Sequence, residues 1–315
     1  MLSAPSGPVM LLGATGFLGR NALPVLRERY PDLHLPTRAD ADLLDRAQVR
    51  RLLQDVRPAV IVQLAGLVGG IGANRERPAD FCFENLVLNA NVIEEAHRCG
   101  VDKVVTFIGG CSYPTDAPHP IPESALWDGY PQPENAPYST AKRMVPVLLE
   151  AYREQYGLRS AVAIPGNVYG PFDNYSRSDA HVVPAMLRRF HEARVEGAPA
   201  VVCWGSGTPT RDFLFAPDLV ACLPFLIERY EGPAPINIAR SEPTTIRRLA
   251  EVTAGIVGYT GEIRWDASKP DGQRDKVLDV SRLGRVGLEC PTALEDGLRA
   301  TYRWFVENYD RGVRL

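Results

Sequence analysis

Short apolar runs alternate with longer stretches of helical spacing through about residue 170. Ala59–Ala65, Val101–Ile108 and Arg159–Ile164 read as buried strands, and Phe83–Cys99 and Ala141–Tyr156 as helices. Continuous apolar strands need cover on both faces, so this alternation predicts an α/β fold with a parallel sheet between helical layers. Beyond Pro171 the pattern loosens. A helix at His181–Ala193, short strands at Ala200–Trp204 and Ile236–Ala239, and a helix from Thr245 suggest a smaller lobe rather than a second copy of the first unit. The expected division gives residues 1–168 and about 210–240 to the larger unit, and 169–209 and 241–315 to the lobe. Asp116 to Glu134 is rich in proline and acidic residues and reads as a loop beside the active site.

The N-terminal apolar strand ends in Gly13-Ala14-Thr15-Gly16-Phe17-Leu18-Gly19, and a helix with Leu18, Ala22, Val25 and Leu26 on one stripe follows it. Glycines three apart let the backbone approach a pyrophosphate and let the helix pack tightly on the strand, while the helix N-terminus faces the phosphate charge. Strand, turn and helix in this order predict a Rossmann-type doubly wound sheet that binds a dinucleotide through Gly13, Thr15, Gly16, Phe17, Leu18 and Gly19. Pro24 is expected to kink the helix.

The second strand, Leu33–Leu35, ends in Pro36-Thr37-Arg38 with no carboxylate at its tip. An acidic residue there would select NAD, whereas Arg38 suits the 2′-phosphate of NADP; a solvated surface arginine is the plainer alternative. Asp42 and Leu43 lie within reach of the adenine. Asn91, on an otherwise apolar helix, either serves the site or fixes the helix.

Tyr138-Ser139-Thr140-Ala141-Lys142 sets a phenol and an ammonium four residues apart, on one face if the segment is helical. The ammonium is expected to favour the phenolate, which would let the phenol exchange a proton near neutral pH.

The 315 residues are 45% hydrophobic, enough for a large core, and the formal net charge of −3 speaks against nucleic acid or an anionic membrane as partner. The N-terminal residues have no basic region, and no apolar run reaches spanning length, so a cytoplasmic protein with no membrane anchor is expected. Cys82, Cys99, Cys111, Cys203, Cys222 and Cys290 are scattered without paired spacing, which favours reduced thiols over disulfides or zinc.

Longer segments make the pattern specific. Ala65–Asn74, Asn85–Ile93, Asn135–Tyr138, Gly170–Asn174, His181–Met186, Arg188–Ala193, Trp204–Pro209 and Lys269–Gly272 resemble the extended short-chain dehydrogenase/reductases, and among them the GDP-L-fucose synthase family, over about residues 9–310. The resemblance implies a GDP-4-keto-6-deoxy-mannose substrate, epimerised at C3 and C5 by Cys111 and His181. Reduction at C4 follows, with NADPH, Tyr138 as proton donor and Lys142 on the nicotinamide ribose. It also implies that Arg189, Trp204, Arg211 and Lys276 contact diphosphate and sugar, that Asn167 and Val182 lie near the nucleotide, and that the chain forms a homodimer.

One position departs. Where the family carries Gly-Ser-Ser-Cys, with the first serine bonded to the substrate carbonyl, this chain reads Ile108-Gly109-Gly110-Cys111. Ser112 is expected on the opposite face from Cys111 on an extended backbone, so a water or Thr140 would have to replace the lost hydroxyl. Three readings stay open: a complete epimerase/reductase, an epimerase with weak or absent reduction, and a non-catalytic NADP-sensing protein.

Overall fold

In the computed structural model the buried strands carry apolar residues at nearly every position, as the four residues of Val9–Leu12 do, which is the signature of a sheet covered on both faces. The structure describes residues 5–177, 179–232, 234–269 and 271–309. Residues 1–4, Ser178, Pro233, Pro270 and 310–315 lie outside the described residues, as do the outer ends of both expected units and Pro270 of the Lys269–Gly272 match.

The strands are β1 (Val9–Leu12), β2 (Leu33–His34), β3 (Val60–Gln63), β4 (Lys103–Phe107), β5 (Arg159–Pro165), β6 (Asn167–Tyr169), β7 (Ala200–Trp204), β8 (Thr210–Phe215), β9 (Ile236–Ile238), β10 (Pro243–Thr245), β11 (Glu262–Asp266) and β12 (Asp275–Lys276). The helices are α1 (Phe17–Arg29), α2 (Arg46–Val56), α3 (Ile71–Glu76), α4 (Pro78–Arg98), α5 (Ala136–Tyr156), α6 (Val182–Glu196), α7 (Ala216–Ala221), α8 (Leu223–Glu228), α9 (Ile246–Val257), α10 (Ser281–Arg285) and α11 (Leu294–Asn308).

The central sheet runs β2-β1-β3-β4-β5-β9 and every pairing in it is parallel. The order reverses between β1 and β3, and in open parallel sheets ligands bind outside the strand C-termini at such a switch point. One sheet face buries Val9, Leu11, Val62 and Ala161 against Leu26 of α1 and Leu219, Leu223 and Leu226 of α7 and α8. The other buries Met10, Ile61, Val104 and Ile164 against Leu53 of α2, Val92 of α4 and Val145 and Leu149 of α5. A third core, with Phe190, Leu249, Leu298, Phe305 and Tyr175, lies in the lobe. There β8 pairs with β6, β10 and β12, and β7 pairs with β11.

Element ends moved where proline misled. The helices expected from Phe83 and Ala141 begin earlier, at Pro78 and Ala136, because a proline in the first turn has no N–H that the helix needs. α1 continues through Pro24 to Arg29. After β4 the chain does not stay extended: Gly110–Ser112 forms a single 3₁₀ turn.

Candidate active site

Backbone geometry accounts for the three glycines after β1. Gly13 has φ +84°, and a methyl there would lie 2.7 Å from the Ala65 amide nitrogen. On Gly19 a methyl would lie 2.1 Å from the Gly13 carbonyl oxygen. Gly16 occupies the N-cap of α1 with no side-chain cap, so the first-turn amides are left to a ligand, and an anion fits them. The residues present therefore suit a dinucleotide pyrophosphate. Gly19→Ala is expected to cost about 1–3 kcal/mol of stability, because helix and strand must separate to admit the methyl. Thermal unfolding checks this, and an unchanged midpoint would contradict it.

Beyond β2, Arg38 is exposed and meets Asp42 at 3.6 Å as its one ion-pair partner among the described residues, so its guanidinium remains available to a phosphate. Asn91 proves to be a fastener, donating to the carbonyls of Leu43 at 2.9 Å and Leu44 at 3.1 Å and so holding the loop after Arg38.

Because α5 begins at Ala136, Tyr138 and Lys142 share one helix face, with Lys142 Nζ 5.9 Å from the phenol ring centroid. Phe81 packs edge-on against the Tyr138 ring at 6.1 Å. The expectation that the ammonium makes the phenol acidic is overturned: burial raises the Tyr138 pKa, with Cys111 acting in the same direction. Desolvation is the larger cause, because removal from water disfavours the phenolate. Tyr138 therefore rests protonated, the state a proton donor requires. Burial also lowers Lys142 to about 8, opposed by Cys111. Beside it, a methyl on Gly66 would lie 3.4 Å from Lys142 Nζ and 2.9 Å from Asn85 Oδ1. That oxygen is buried without a partner among the described residues.

Gly109, at the end of β4, is the meeting point. A methyl built there would stand 3.0 Å from Cys111 Sγ and 3.8 Å from the Tyr138 hydroxyl. A side chain at this position thus points between thiol and phenol, where the missing hydroxyl would belong. Thr140 does not replace it: it is exposed, two residues past Tyr138 and so on another side of α5. Ser112 lies in the 3₁₀ turn rather than on an extended strand, fully buried, its Oγ without a partner among the described residues.

Lys276 joins the same centre. β12 pairs with β8 so that Lys276 lies beside Arg211, and Cys111 lies near enough to act electrostatically on Lys276 and on Lys142. Burial lowers Lys276 to about 8, opposed by Cys111 and reinforced by Arg211. Burial lowers Arg211 as well. His181 caps α6 through its backbone and is solvent-exposed, although the protein mass around it still disfavours the imidazolium and lowers its pKa. The segment before it is tied to the loop after β3 by the Gly70 amide, which donates to the Asp179 carbonyl at 2.9 Å.

The other sequence-derived positions are placed as follows. Arg189 is exposed and donates to the Val202 carbonyl at 2.8 Å, and Trp204 is exposed with Lys269 Nζ 6.0 Å from its ring. Val182 opens α6, and Asn167 of β6 donates to the Asp212 carbonyl at 3.4 Å. One residue escaped the sequence reading. Arg143 is 8% exposed and reaches the backbone of the Cys111 turn. Ser139, Lys142, Arg143 and Pro146 are all buried, and their helical spacing was the available signal.

The six cysteines are free thiols. No helix among the described residues is long and apolar enough to cross a membrane.

The model of the NAD dependent epimerase/dehydratase family matches residues 9–239. The chain is 41% identical over 313 residues to the GDP-L-fucose synthase of Escherichia coli K12, covering 96% of this chain and 98% of that one. Its fold is similar to that of a GDP-L-fucose synthetase from Naegleria fowleri bound to NADP, with a TM-score of 0.91, 27% identity, and coverage of 100% of this chain and 97% of that one. It is also similar to a GDP-6-OMe-4-keto-L-xylo-heptose reductase from C. jejuni, with a TM-score of 0.92, 26% identity, and coverage of 98% and 100%.

Proposed function

This chain belongs to the NAD dependent epimerase/dehydratase family, and from that premise we propose that it is an NADPH-dependent epimerase/reductase of a GDP-4-keto-6-deoxy-mannose-type sugar. Its product is GDP-L-fucose or a close relative. The observation that carries the reading is the convergence of the Cys111 thiol and the Tyr138 phenol on the space beside Gly109.

The C4 ketone acidifies the hydrogens on C3 and C5. Cys111 and His181 act as the acid–base pair that removes a proton from one face of each carbon and returns one to the other. The charge that develops on O4 in the enolate is offset by the ammonium groups of Lys142 and Lys276, both close enough to feel Cys111. Bound NADPH supplies the hydride for C4. Tyr138, protonated at rest, gives O4 its proton, and Lys142 holds the ribose. Gly13, Thr15, Gly16, Phe17, Leu18 and Gly19 cradle the pyrophosphate, with Arg38 on the 2′-phosphate and Asp42 and Leu43 at the adenine. Asn167, Val182, Arg189, Trp204, Arg211 and Lys276 take the GDP-sugar, the arginines because a planar fork can bind two phosphate oxygens at once.

The cofactor-binding unit spans 1–168 and about 210–240, and the lobe carries the nucleotide sugar. Exposed Phe83 and Leu86 on α4 and Met144 and Val147 on α5 form an apolar surface on adjacent helices that supports a homodimer. Free thiols throughout are compatible with a cytoplasmic site of action.

A second reading is favoured by one observation. With Gly109 in place of a hydroxyl donor, reduction is weakened and the chain works mainly as an epimerase. Conversion of GDP-4-keto-6-deoxy-mannose with NADPH, followed by NMR of the product sugar, tests the reading. Formation of the L-sugar supports it, an epimerised keto-sugar supports the second reading, and unchanged substrate contradicts both. The cofactor assignment has its own check. Arg38→Ser is expected to lower the preference for NADPH over NADH about 10- to 100-fold, the range for losing one charge-assisted hydrogen bond. An unchanged ratio of kcat/KM for the two cofactors would contradict it.

A further inference from the structure

We propose that Arg143 is a positioning residue for Cys111, holding the turn that carries the thiol. The inference rests on the reading of Cys111 as a proton-transfer group.

The turn closes through its own backbone, the Ser112 amide donating to the Gly109 carbonyl at 2.9 Å, and beyond it Tyr113 donates to Asn237 Oδ1 at 2.6 Å. Gly109 and Gly110 precede Cys111, and glycine gives a backbone the most freedom to lose on ordering. The position of Gly110 does not accept a side chain, since a methyl there would lie 2.9 Å from the Pro165 carbonyl oxygen. Ser112, next along, leaves its buried hydroxyl without a partner among the described residues. Side-chain anchoring from within the turn is thus missing on both sides of the thiol.

Arg143 supplies an anchor from outside. It follows Lys142 on α5, and its Nε donates to the Ser112 carbonyl. Its Nη1 donates to the Gly129 carbonyl at 2.8 Å. One guanidinium therefore joins the Cys111 turn to the returning arm of the loop that leaves it. That arm is already fastened to the turn's exit by the Thr115 amide, which donates to the Tyr130 carbonyl at 3.1 Å. The Trp127 ring of the same loop stacks at 5.9 Å from the guanidinium carbon.

The remaining nitrogen, Nη2, is buried without a hydrogen-bond partner among the described residues. Shielded from solvent, it is no anchor for substrate. A guanidinium left partly unsatisfied in a buried site costs free energy. Cys111 lies close enough to favour its charge against the burial that opposes it. A neutral side chain of similar length would pack in the same space without the two carbonyl contacts.

The test reads the thiol directly and needs no substrate. Iodoacetamide alkylation of Cys111 is followed by peptide mass spectrometry in the full-length wild type, Arg143→Met and Arg143→Lys, with cofactor binding as the check on the rest of the site. Arg143→Met is expected to speed alkylation about tenfold, because a turn released from its two carbonyl contacts opens more often, with cofactor affinity unchanged. Arg143→Lys cannot reproduce the two-carbonyl grip, and is expected to be faster than wild type by about threefold. Wild-type alkylation rates in folded Arg143→Met would overturn the proposal. Should that variant not fold, wild-type rates in Arg143→Lys would do so. Solvent deuterium uptake into the substrate by the wild type separates the two ideas: its absence removes the role of Cys111 in catalysis, while faster alkylation in the variants alone leaves the positioning role intact.

Discussion

Cys111→Ala is expected to suppress deuterium uptake into a GDP-4-keto-6-deoxy-sugar by about 100- to 10,000-fold, the usual contribution of a positioned acid or base. Tyr138→Phe should leave that uptake within a few-fold of wild type and suppress NADPH oxidation by a similar factor. The separation follows from geometry. Both groups border the space beside Gly109, but they arrive on different elements, the thiol on the turn after β4 and the phenol on α5. Removing the thiol leaves phenol and ammonium on their helix. Removing the phenol's hydroxyl leaves the Phe81 contact, which is made by the ring. Uptake by mass spectrometry and NADPH loss by absorbance give the two rates in one sample. Because reduction follows epimerisation, the Cys111 variant lowers NADPH oxidation as well, and equal suppression of both by Tyr138→Phe would contradict the division of labour.

Gly109→Ser is expected to raise NADPH turnover, by about tenfold or more, because one hydrogen-bond donor to a developing oxyanion is typically worth 100-fold or more in rate. The backbone accepts the change: Gly109 has φ −83°, an ordinary value for any residue. The new Cβ would lie 3.0 Å from Cys111 Sγ. That is a tight contact with the tip of a side chain, so a small rotation of the thiol accommodates it. Part of the gain is therefore offset by a disturbed epimerisation step, and deuterium uptake should fall modestly while NADPH oxidation rises. A fall in NADPH oxidation would mean that the pocket is rebuilt around glycine.

The cofactor end of the fold was legible because its constraints are backbone constraints. A residue other than glycine at position 13 or 19 collides with main-chain atoms, and such a requirement is written directly in the residue type. The strand–helix alternation was legible for a similar reason, since the central strands are buried on both faces and nearly uniformly apolar. Helix starts were less so. Pro78 and Pro137 read as loop residues when taken alone, yet each sits in the first turn of a helix, where its missing N–H costs nothing. The placement of Tyr138 therefore stayed conditional until the start of α5 was known. The chemistry at the centre was partly misread: spacing alone suggested a phenol made acidic by its lysine, while burial sets the opposite direction. Lys276 comes to Cys111 through the pairing of β12 with β8, a long-range register with no local signal. Arg143 was within reach of a periodicity argument, since Ser139, Lys142, Arg143 and Pro146 share one buried face of α5.

Incubation with GDP-4-keto-6-deoxy-mannose in heavy water, with and without NADPH, tests the central claim most directly. The account predicts uptake of up to two deuterons into the sugar, together with NADPH consumption and a reduced product. Uptake without NADPH consumption would contradict the reductase half and leave an epimerase. Neither uptake nor consumption would contradict the assignment of this substrate to the site.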